Sequence, residues 1–335
     1  MQDCKFHNTA MKIVAPICSP SDADAAIAAG ADELYVGAMF DGWAGIFGDA
    51  DLLSRRQGRV AHVRHPKDLS AIARACAQAG RPVALTLNSR YSTVQEQMVL
   101  DLAARWEDMG GPTVIVADIG LLLALRQRNS RLRRHLSLLA GVFNRRTVEF
   151  FGSLGVRRVI LPRDLAVSEV RVLTAAPGGV EFEMIGLYQK CPFIDGMCGF
   201  HHAVRVPAGV PAEFDVDFSG GSPVVWSHDP DYEGHGCQLR WESPGGPVRF
   251  PLADDLSNPH CAACSLADLT QAGVGFLKMA GRGYPIDIVV RGIRFLRRAI
   301  EVSQALPPSA AQRELRRLYT DTFGQTCDRG RCYYC

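Results

Sequence analysis

One unit repeats along most of this chain: a short run of β-branched or aliphatic residues, a turn, and a stretch with helical periodicity. Seven such runs occur within the first 186 residues, and an eighth lies near residue 277. Continuous apolar strands joined by helical crossovers are typical of a parallel sheet covered on both faces. The predicted strands are residues 12–16, 33–37, 82–88, 113–118, 136–141, 157–162, 181–186 and 274–281.

Eight strand–helix units predict a TIM-type (β/α)8 barrel, whose active site lies at the carboxyl ends of the strands. A doubly wound open sheet uses the same units in another order and is the alternative. Two helices have clear limits. Ser21 or Asp22 is the predicted N-cap and Gly30 the C-cap of the first, and Gly80 ends the helix that begins near His65. No G-x-G-x-x-G or Walker sequence opens a helix, so the usual nucleotide sites are not indicated.

The barrel is predicted to span residues 1–306, with a long insertion at about 187–262 after the seventh strand. Residues 307–335 form a tail that starts as a helix and ends in CDRGRCYYC, with a position outside the barrel as one interpretation. A mean hydropathy of zero and 47% hydrophobic residues fit a globular protein with a large core. No run of 18 apolar residues occurs, and the N-terminus is polar, so we expect no membrane insertion and a cytoplasmic location.

Cysteines are concentrated in the second half of the chain. Eight of the eleven lie after residue 190, and in a cytosolic protein of this size they indicate metal binding or redox chemistry rather than disulfides. Cys76, within a predicted helix, is most simply a core residue. The cysteines expected near the catalytic face of the barrel are Cys18, Cys191, Cys198, Cys237, Cys261 and Cys264.

Four kinds of site fit these cysteines. A disulfide between Cys191 and Cys198 is disfavoured in a reducing compartment. Zinc prefers paired hooks such as C-x2-C, which only Cys261 and Cys264 supply in this region, although His201 and His202 could complete such a site. Long, irregular spacings suit an iron–sulfur cluster better, and ordinary thiols are the remaining interpretation.

Short motifs in a constant order carry a resemblance across nearly the whole chain. The segment APICSPSDADAAIAAGADELYVGA resembles the opening of the U32 peptidase family, in which an alanine-rich helix leads to a D-x-x-Y-x-G strand. FLKMAGRGYPIDIVVRGIRFLRRAI is similar to the closing K-I-E-G-R segment, with Ala280 in place of the glutamate. C-x6-C after the seventh strand and CQLRW, which is similar to C-x-x-x-R-W, complete the match.

The resemblance implies a [4Fe-4S] cluster, because the better-understood relatives are iron–sulfur proteins of RNA and ubiquinone hydroxylation. Its implied ligands are Cys191, Cys198 and Cys237, with Cys261 or Cys264 as the fourth. Lys278 and Arg282, retained from K-I-E-G-R, are predicted to bind an anionic substrate. The alternative is that one of them pairs with a strand carboxylate.

The tail has the spacing C-x4-C-x2-C, which equals a run in plant-type ferredoxins. Cys327, Cys332 and Cys335 are therefore candidate ligands of a second iron–sulfur cluster. The fourth thiolate of that cluster would come from Cys18 or from whichever of Cys261 and Cys264 is left over.

Three functions follow, in decreasing order of preference. The first is oxygen-independent hydroxylation of an RNA base, a quinone precursor or a small metabolite, with prephenate as a possible oxygen donor, as the resemblance implies. The second is a peptidase, although no G-x-S-x-G or H-E-x-x-H occurs. The third is a non-catalytic electron-transfer, scaffold or RNA-binding role. A hetero-oligomer with another U32 protein is implied, and phosphate contacts would come from Arg291, Arg294, Arg297 and Arg298.

Overall fold

Eight parallel strands close into a barrel in the computed structural model. It describes residues 11–47, 53–56, 59–176, 178–191, 194–197 and 256–334, together with four short strands between residues 215 and 248. The barrel order is β1-β12-β7-β6-β5-β4-β3-β2, which excludes the open-sheet alternative. The barrel strands are β1 Lys12–Ile17, β2 Glu33–Gly37, β3 Val83–Leu87, β4 Thr113–Val116, β5 Arg133–Leu136, β6 Val156–Ile160, β7 Glu181–Leu187 and β12 Phe276–Met279.

The predicted insertion after β7 contributes two small antiparallel pairs within its described parts. These strands are β8 Asp215–Val216 paired with β9 Val224–Val225, and β10 Trp241–Ser243 paired with β11 Gly246–Val248. Residues 256–262 return the chain to the barrel, where Ala262 donates its backbone N–H to Gly186 at 2.8 Å. The insertion therefore leaves and rejoins the barrel at the carboxyl end of β7.

Helices surround the barrel between the strands. The described helices are α1 Pro20–Ala28, α2 Asp41–Phe47, α3 Pro66–Gln78, α4 Thr93–Asp108, α5 Ile119–Gln127, α6 Arg145–Ser153, α7 Val167–Thr174, α8 Leu266–Gln271, α9 Ile286–Ala305 and α10 Pro308–Phe323. None of them has both the length and the apolar character that crossing a membrane demands. Cys76 of α3 lies fully in the core, as predicted.

Two boundaries differ from the sequence prediction. The N-cap of α1 is Ser19, whose hydroxyl accepts from the Asp22 backbone at 3.1 Å, so the prediction of Ser21 or Asp22 was wrong by at least two residues. Strand β5 lies earlier than residues 136–141. Leu138–Ala140 form a 3-10 turn instead, because the Ser137 hydroxyl caps it and Gly141, with φ of 69°, ends it.

The C-terminal segment packs on the barrel instead of extending away from it. Helix α10 lies against α9, where the Phe295 ring packs edge to face against Tyr319 and Phe323, with centroids 6.1 and 5.0 Å apart. Beyond α10 the chain runs over the carboxyl end of β7, and Tyr333 is buried there. The described residues of this segment, up to Tyr334, therefore lie against the barrel.

Candidate functional site

A cavity of about 270 Å³ opens at the carboxyl ends of the barrel strands. Its walls combine aliphatic side chains such as Ile115, Leu138 and Ile160 with an excess of cations, and no Asp or Glu is among its described lining residues. This composition suits an anion that also has an apolar part. The lining cations are Arg55, Arg56, Arg163, Lys190, Lys278, Arg282 and Arg331.

Lys278 lies at the cavity floor with its charge already compensated. Its ammonium donates to Glu183 Oε1 at 2.9 Å and lies 3.8 Å from the centre of the Tyr35 ring. Burial lowers the pKa of Lys278, and the Glu183 carboxylate opposes that shift. The sequence left two roles open for Lys278, binding an anionic substrate or pairing with a strand carboxylate. The structure shows the second, because Lys278 pairs with Glu183 of β7.

Arg158 completes a charged layer inside the barrel. It forms ion pairs with Glu33 at 2.6 Å and with Glu181 and Glu183 at 3.1 Å each, and its guanidinium lies 3.2 Å from the centre of the Phe276 ring. Burial would raise the pKa of Glu183, but the charges of Lys278 and Arg158 hold it at about 2. This layer supports the floor of the cavity, and each of its three carboxylates is ion-paired.

Arg282 differs from Lys278, because it is buried without a carboxylate partner in the described part of the chain. Its guanidinium donates to the hydroxyls of Ser54, at 2.7 Å, and Thr86, while its Nε has no partner among the described residues. Burial lowers its pKa to about 10, so it remains charged at neutral pH. A buried cation held by neutral hydroxyls retains its full attraction for an incoming anion.

A glycine in β2 makes room for this arginine. A Cβ atom added at Gly37 would lie 2.2 Å from Arg282 Nη1 and 2.7 Å from its Cζ. No side chain other than hydrogen fits there while the guanidinium keeps its position. The glycine of the D-x-x-Y-x-G strand therefore has a role in the site.

Two residues with left-handed backbone conformation direct the chain from β7 into the cavity. Tyr188 has φ of 62° and Gln189 has φ of 42°, which is uncommon for residues other than glycine. The turn brings Lys190 and Cys191 to the cavity wall. Arg56 donates to the Gln189 side chain at 2.6 Å and supports the turn from the opposite side.

Arg163 and Asp195 hold the chain that follows Cys191. The Asp195 carboxylate accepts from the Arg163 backbone at 3.0 Å and from its guanidinium at 2.5 and 2.9 Å. Burial opposes the charge of Arg163, but this pairing raises its pKa, and Cys191 contributes in the same direction. Cys191 therefore lies within electrostatic range of the Arg163 guanidinium.

The tail supplies one wall of the same region. Lys190 Nζ donates to the Cys332 carbonyl at 2.8 Å, and the Tyr334 hydroxyl donates to the Ile185 carbonyl at 2.7 Å. The Tyr333 hydroxyl donates to the Tyr188 carbonyl. These contacts place Arg331 at the cavity.

The predicted cysteines differ in their surroundings. Cys191 lines the cavity, whereas Cys261 interacts electrostatically with Cys264 and with Cys327 and Cys332 of the tail. Across the described ranges, no three His, Cys, Asp or Glu side chains surround a point where an ion could bind. The predicted ligands Cys198, Cys237 and Cys335, and also His201 and His202, lie outside the described residues, so the proposed ligand sets stay predictions.

Several cavity residues were missed by the sequence analysis. Arg163 lies three residues beyond the end of β6 and could have been found because it directly follows the predicted barrel strand 157–162. Arg55 and Arg56 lie in an irregular segment between β2 and β3, and Arg331 lies in the tail, where no sequence signal points to the barrel. Of the arginines predicted to meet phosphate, Arg297 pairs with Asp32 at 2.6 Å and Arg298 with Glu301 at 2.9 Å.

Comparison with known families decides the classification. The model of peptidase family U32 matches residues 19–209, which is more than half of the chain. The chain belongs to peptidase family U32. This U32 chain is also similar to tRNA hydroxylation protein P of Escherichia coli and to its namesake of Haemophilus influenzae, each with 31% identity over 91 residues. The match covers 27% of this chain and spans only 20% of the length of those relatives.

Solved structures resemble this U32 barrel at the level of overall shape. A U32 peptidase aligns with 15% identity and a TM-score of 0.41, over 56% of this chain and 73% of that one. Thiamine phosphate pyrophosphorylase of Pyrococcus furiosus aligns with 7% identity and a TM-score of 0.45, over 88% and 96%. At such similarity neither structure indicates what this site binds.

Proposed function

We propose that this U32 protein carries an iron–sulfur cluster at the barrel mouth and supports oxygen-independent hydroxylation, with an RNA base, a quinone precursor or a small metabolite as substrate. The observation that carries the proposal is that Cys191, a predicted cluster ligand, and Arg282, a buried cation without a carboxylate partner in the described chain, line one cavity. The relatives named tRNA hydroxylation protein P support the reaction class. Their name also makes an RNA base the first substrate to test.

The cationic cavity is proposed to hold an anionic co-substrate, and prephenate fits its chemistry. A ring that bears one carboxylate, and a pyruvyl side chain that bears a second, offers charged groups to Arg282 and Arg56 and an apolar face to Ile115 and Ile160. Guanidinium groups bind carboxylates through two parallel hydrogen bonds, which fixes orientation as well as position. The described lining has no acid that would repel such a ligand.

The thiolates proposed for the cluster are Cys191, Cys198 and Cys237. Cys191 presents a thiol to the cavity within electrostatic range of the Arg163 guanidinium, and a sulfur donor is what an iron–sulfur cluster takes, so the described position fits the group. When bound, a cluster with only protein thiolates supplies electron transfer, and one with an open iron supplies substrate activation as well. The protein residues bind and orient the anion beside it.

Anaerobic purification with iron, sulfide and absorption measurements tests the cluster. We expect iron and sulfide in the wild type, a loss of most of both in Cys191→Ala, and no loss in Cys76→Ser, which changes a core thiol far from the mouth. A colourless, iron-free wild type, or a Cys191→Ala variant with unchanged iron, contradicts the cluster proposal.

The reaction is tested in cells that lack the gene. Mass spectrometry of total tRNA should show less of a hydroxylated nucleoside, with recovery by the wild type and not by Arg282→Ala under oxygen-free growth. An unchanged tRNA profile together with hydrolysis of gelatin by the purified protein would instead favour the peptidase alternative.

A further inference from the structure

Four cysteines from two distant parts of the chain meet beside the barrel mouth. Cys261 and Cys264 form a C-x2-C pair at the end of the insertion, and Cys327 and Cys332 form a C-x4-C pair after α10. The Cys261 thiol lies close enough to the other three thiols to interact electrostatically with each of them. Cys191, by contrast, lines the cavity.

Backbone hydrogen bonds fix the two pairs against each other. The Cys261 backbone N–H donates to the Arg331 carbonyl at 3.0 Å, and the Tyr333 N–H donates to the Cys261 carbonyl at 3.0 Å. Cys261 and Cys332 therefore occupy facing positions of a parallel β-bridge. Such partners have backbones about 4.8 Å apart, so their thiols start as near neighbours.

Each pair also includes a tight turn. Cys264 lies within the 3-10 turn Ala263–Ser265, and Cys327 precedes the turn Arg329–Arg331, where the Asp328 carboxylate accepts from the Gly330 backbone at 3.1 Å. Two short cysteine hooks on turns, brought together by the fold, are the usual framework of a structural zinc site.

We propose that Cys261, Cys264, Cys327 and Cys332 bind one zinc ion that fastens the C-terminal segment to the barrel. With Zn–S bonds of about 2.3 Å, tetrahedral ligands have sulfurs about 3.8 Å apart. Two cysteines that face each other in a β-bridge reach this sulfur–sulfur distance more readily than the longer distance between thiolates around an iron–sulfur cluster. Since the described thiols do not already surround a common point, binding involves rotation about their Cα–Cβ bonds.

This site stands independently of the proposed hydroxylation and revises two sequence predictions. It assigns Cys327 and Cys332 of the tail to zinc rather than to a second iron–sulfur cluster. It also assigns both Cys261 and Cys264 to this zinc site rather than to the cluster at the barrel mouth. The iron–sulfur cluster proposed at the barrel mouth then keeps Cys191, Cys198 and Cys237 as its protein ligands. By fastening the tail, the zinc ion would also keep the positively charged Arg331 at the cavity wall.

Metal analysis of anaerobically purified protein tests the proposal. We expect about one zinc per chain in the wild type. The double variant Cys327→Ser/Cys332→Ser should lose at least four fifths of the zinc and keep the iron and sulfide of the wild type. Cys191→Ser should show the opposite pattern, and Cys76→Ser should keep both metals.

A second measurement follows the tail itself. Trypsin should cut after Arg329 or Arg331 at least tenfold faster in the double variant, and adding zinc after chelation should restore protection in the wild type only. The proposal is overturned by a wild type without zinc, by zinc that persists in the double variant, by a parallel fall of iron and sulfide there, or by a Cys261–Cys332 disulfide in the native protein.

Discussion

Substitution of Gly37 by alanine probes the position of Arg282 without removing its charge. The added Cβ would lie 2.2 Å from Arg282 Nη1, whereas ordinary contacts are about 3.5 Å, so the guanidinium must retreat by more than about 1 Å. That movement breaks its hydrogen bonds to Ser54 and Thr86, and hydrogen bonds of charged groups contribute about 1.5–3 kcal/mol each.

The expected result is weaker anion binding. If the retreat removes one charge-assisted contact to the ligand, affinity falls by about 1.5–3 kcal/mol, which is roughly ten- to a hundredfold. Calorimetric titration with prephenate, and with malonate as a stable dicarboxylate probe, measures this loss. Thermal unfolding with and without each anion gives a second measure of the same binding.

Gly275→Ala is the matched control. It also adds a methyl group next to a barrel strand, but among the described residues no atom beyond its chain neighbours lies within 4 Å of the new Cβ. The control should bind anions like the wild type and unfold at the same or a slightly higher temperature, because alanine reduces the freedom of the unfolded chain. Equal affinity of Gly37→Ala and Gly275→Ala would refute the role of Arg282.

Three further predictions concern stability and the tail. Glu183→Gln leaves the buried Lys278 without its carboxylate partner and removes one of the three carboxylates around Arg158, so it should lower the free energy of unfolding by about 3–5 kcal/mol at pH 7 in urea titrations. Because the pKa of Glu183 is depressed to about 2 in the folded protein, its ionised carboxylate stabilises the fold above the unfolded pKa near 4.5, and this stabilisation is lost as the pH falls toward 2. The difference in unfolding free energy between wild type and variant should therefore shrink by about 2 kcal/mol between pH 5 and pH 3. A difference that stays constant over this range contradicts the argument. Ser19→Ala removes the N-cap of α1 and should cost about 1 kcal/mol by the same measurement, whereas no change would show that the cap is dispensable. Deletion of residues 327–335 removes Arg331 from the cavity and should weaken malonate binding severalfold in calorimetry, while unchanged affinity would separate the tail from the site.

One barrel strand shows where local sequence patterns fail. The strand near residue 136 was misplaced because LSLLAG is apolar, whereas the true strand Arg133–Leu136 contains two arginines and a histidine. His135 is nevertheless buried, and its pKa is lowered by burial and by the charge of Arg158. A polar barrel interior is invisible to a search for alternating or continuous apolar residues.

The sequence by itself determined the eight strand–helix units, the barrel, and the accumulation of cysteines after the seventh strand. Those features depend on hydrophobic period and on turn residues, which act between neighbours along the chain. Tertiary structure alone decided that Lys278 has a carboxylate partner while Arg282, four residues later, has none in the described chain. It also decided that the tail lies on the barrel and that its cysteines meet Cys261. These outcomes depend on contacts between residues that are tens to hundreds of positions apart, and the packing of the closed barrel sets them.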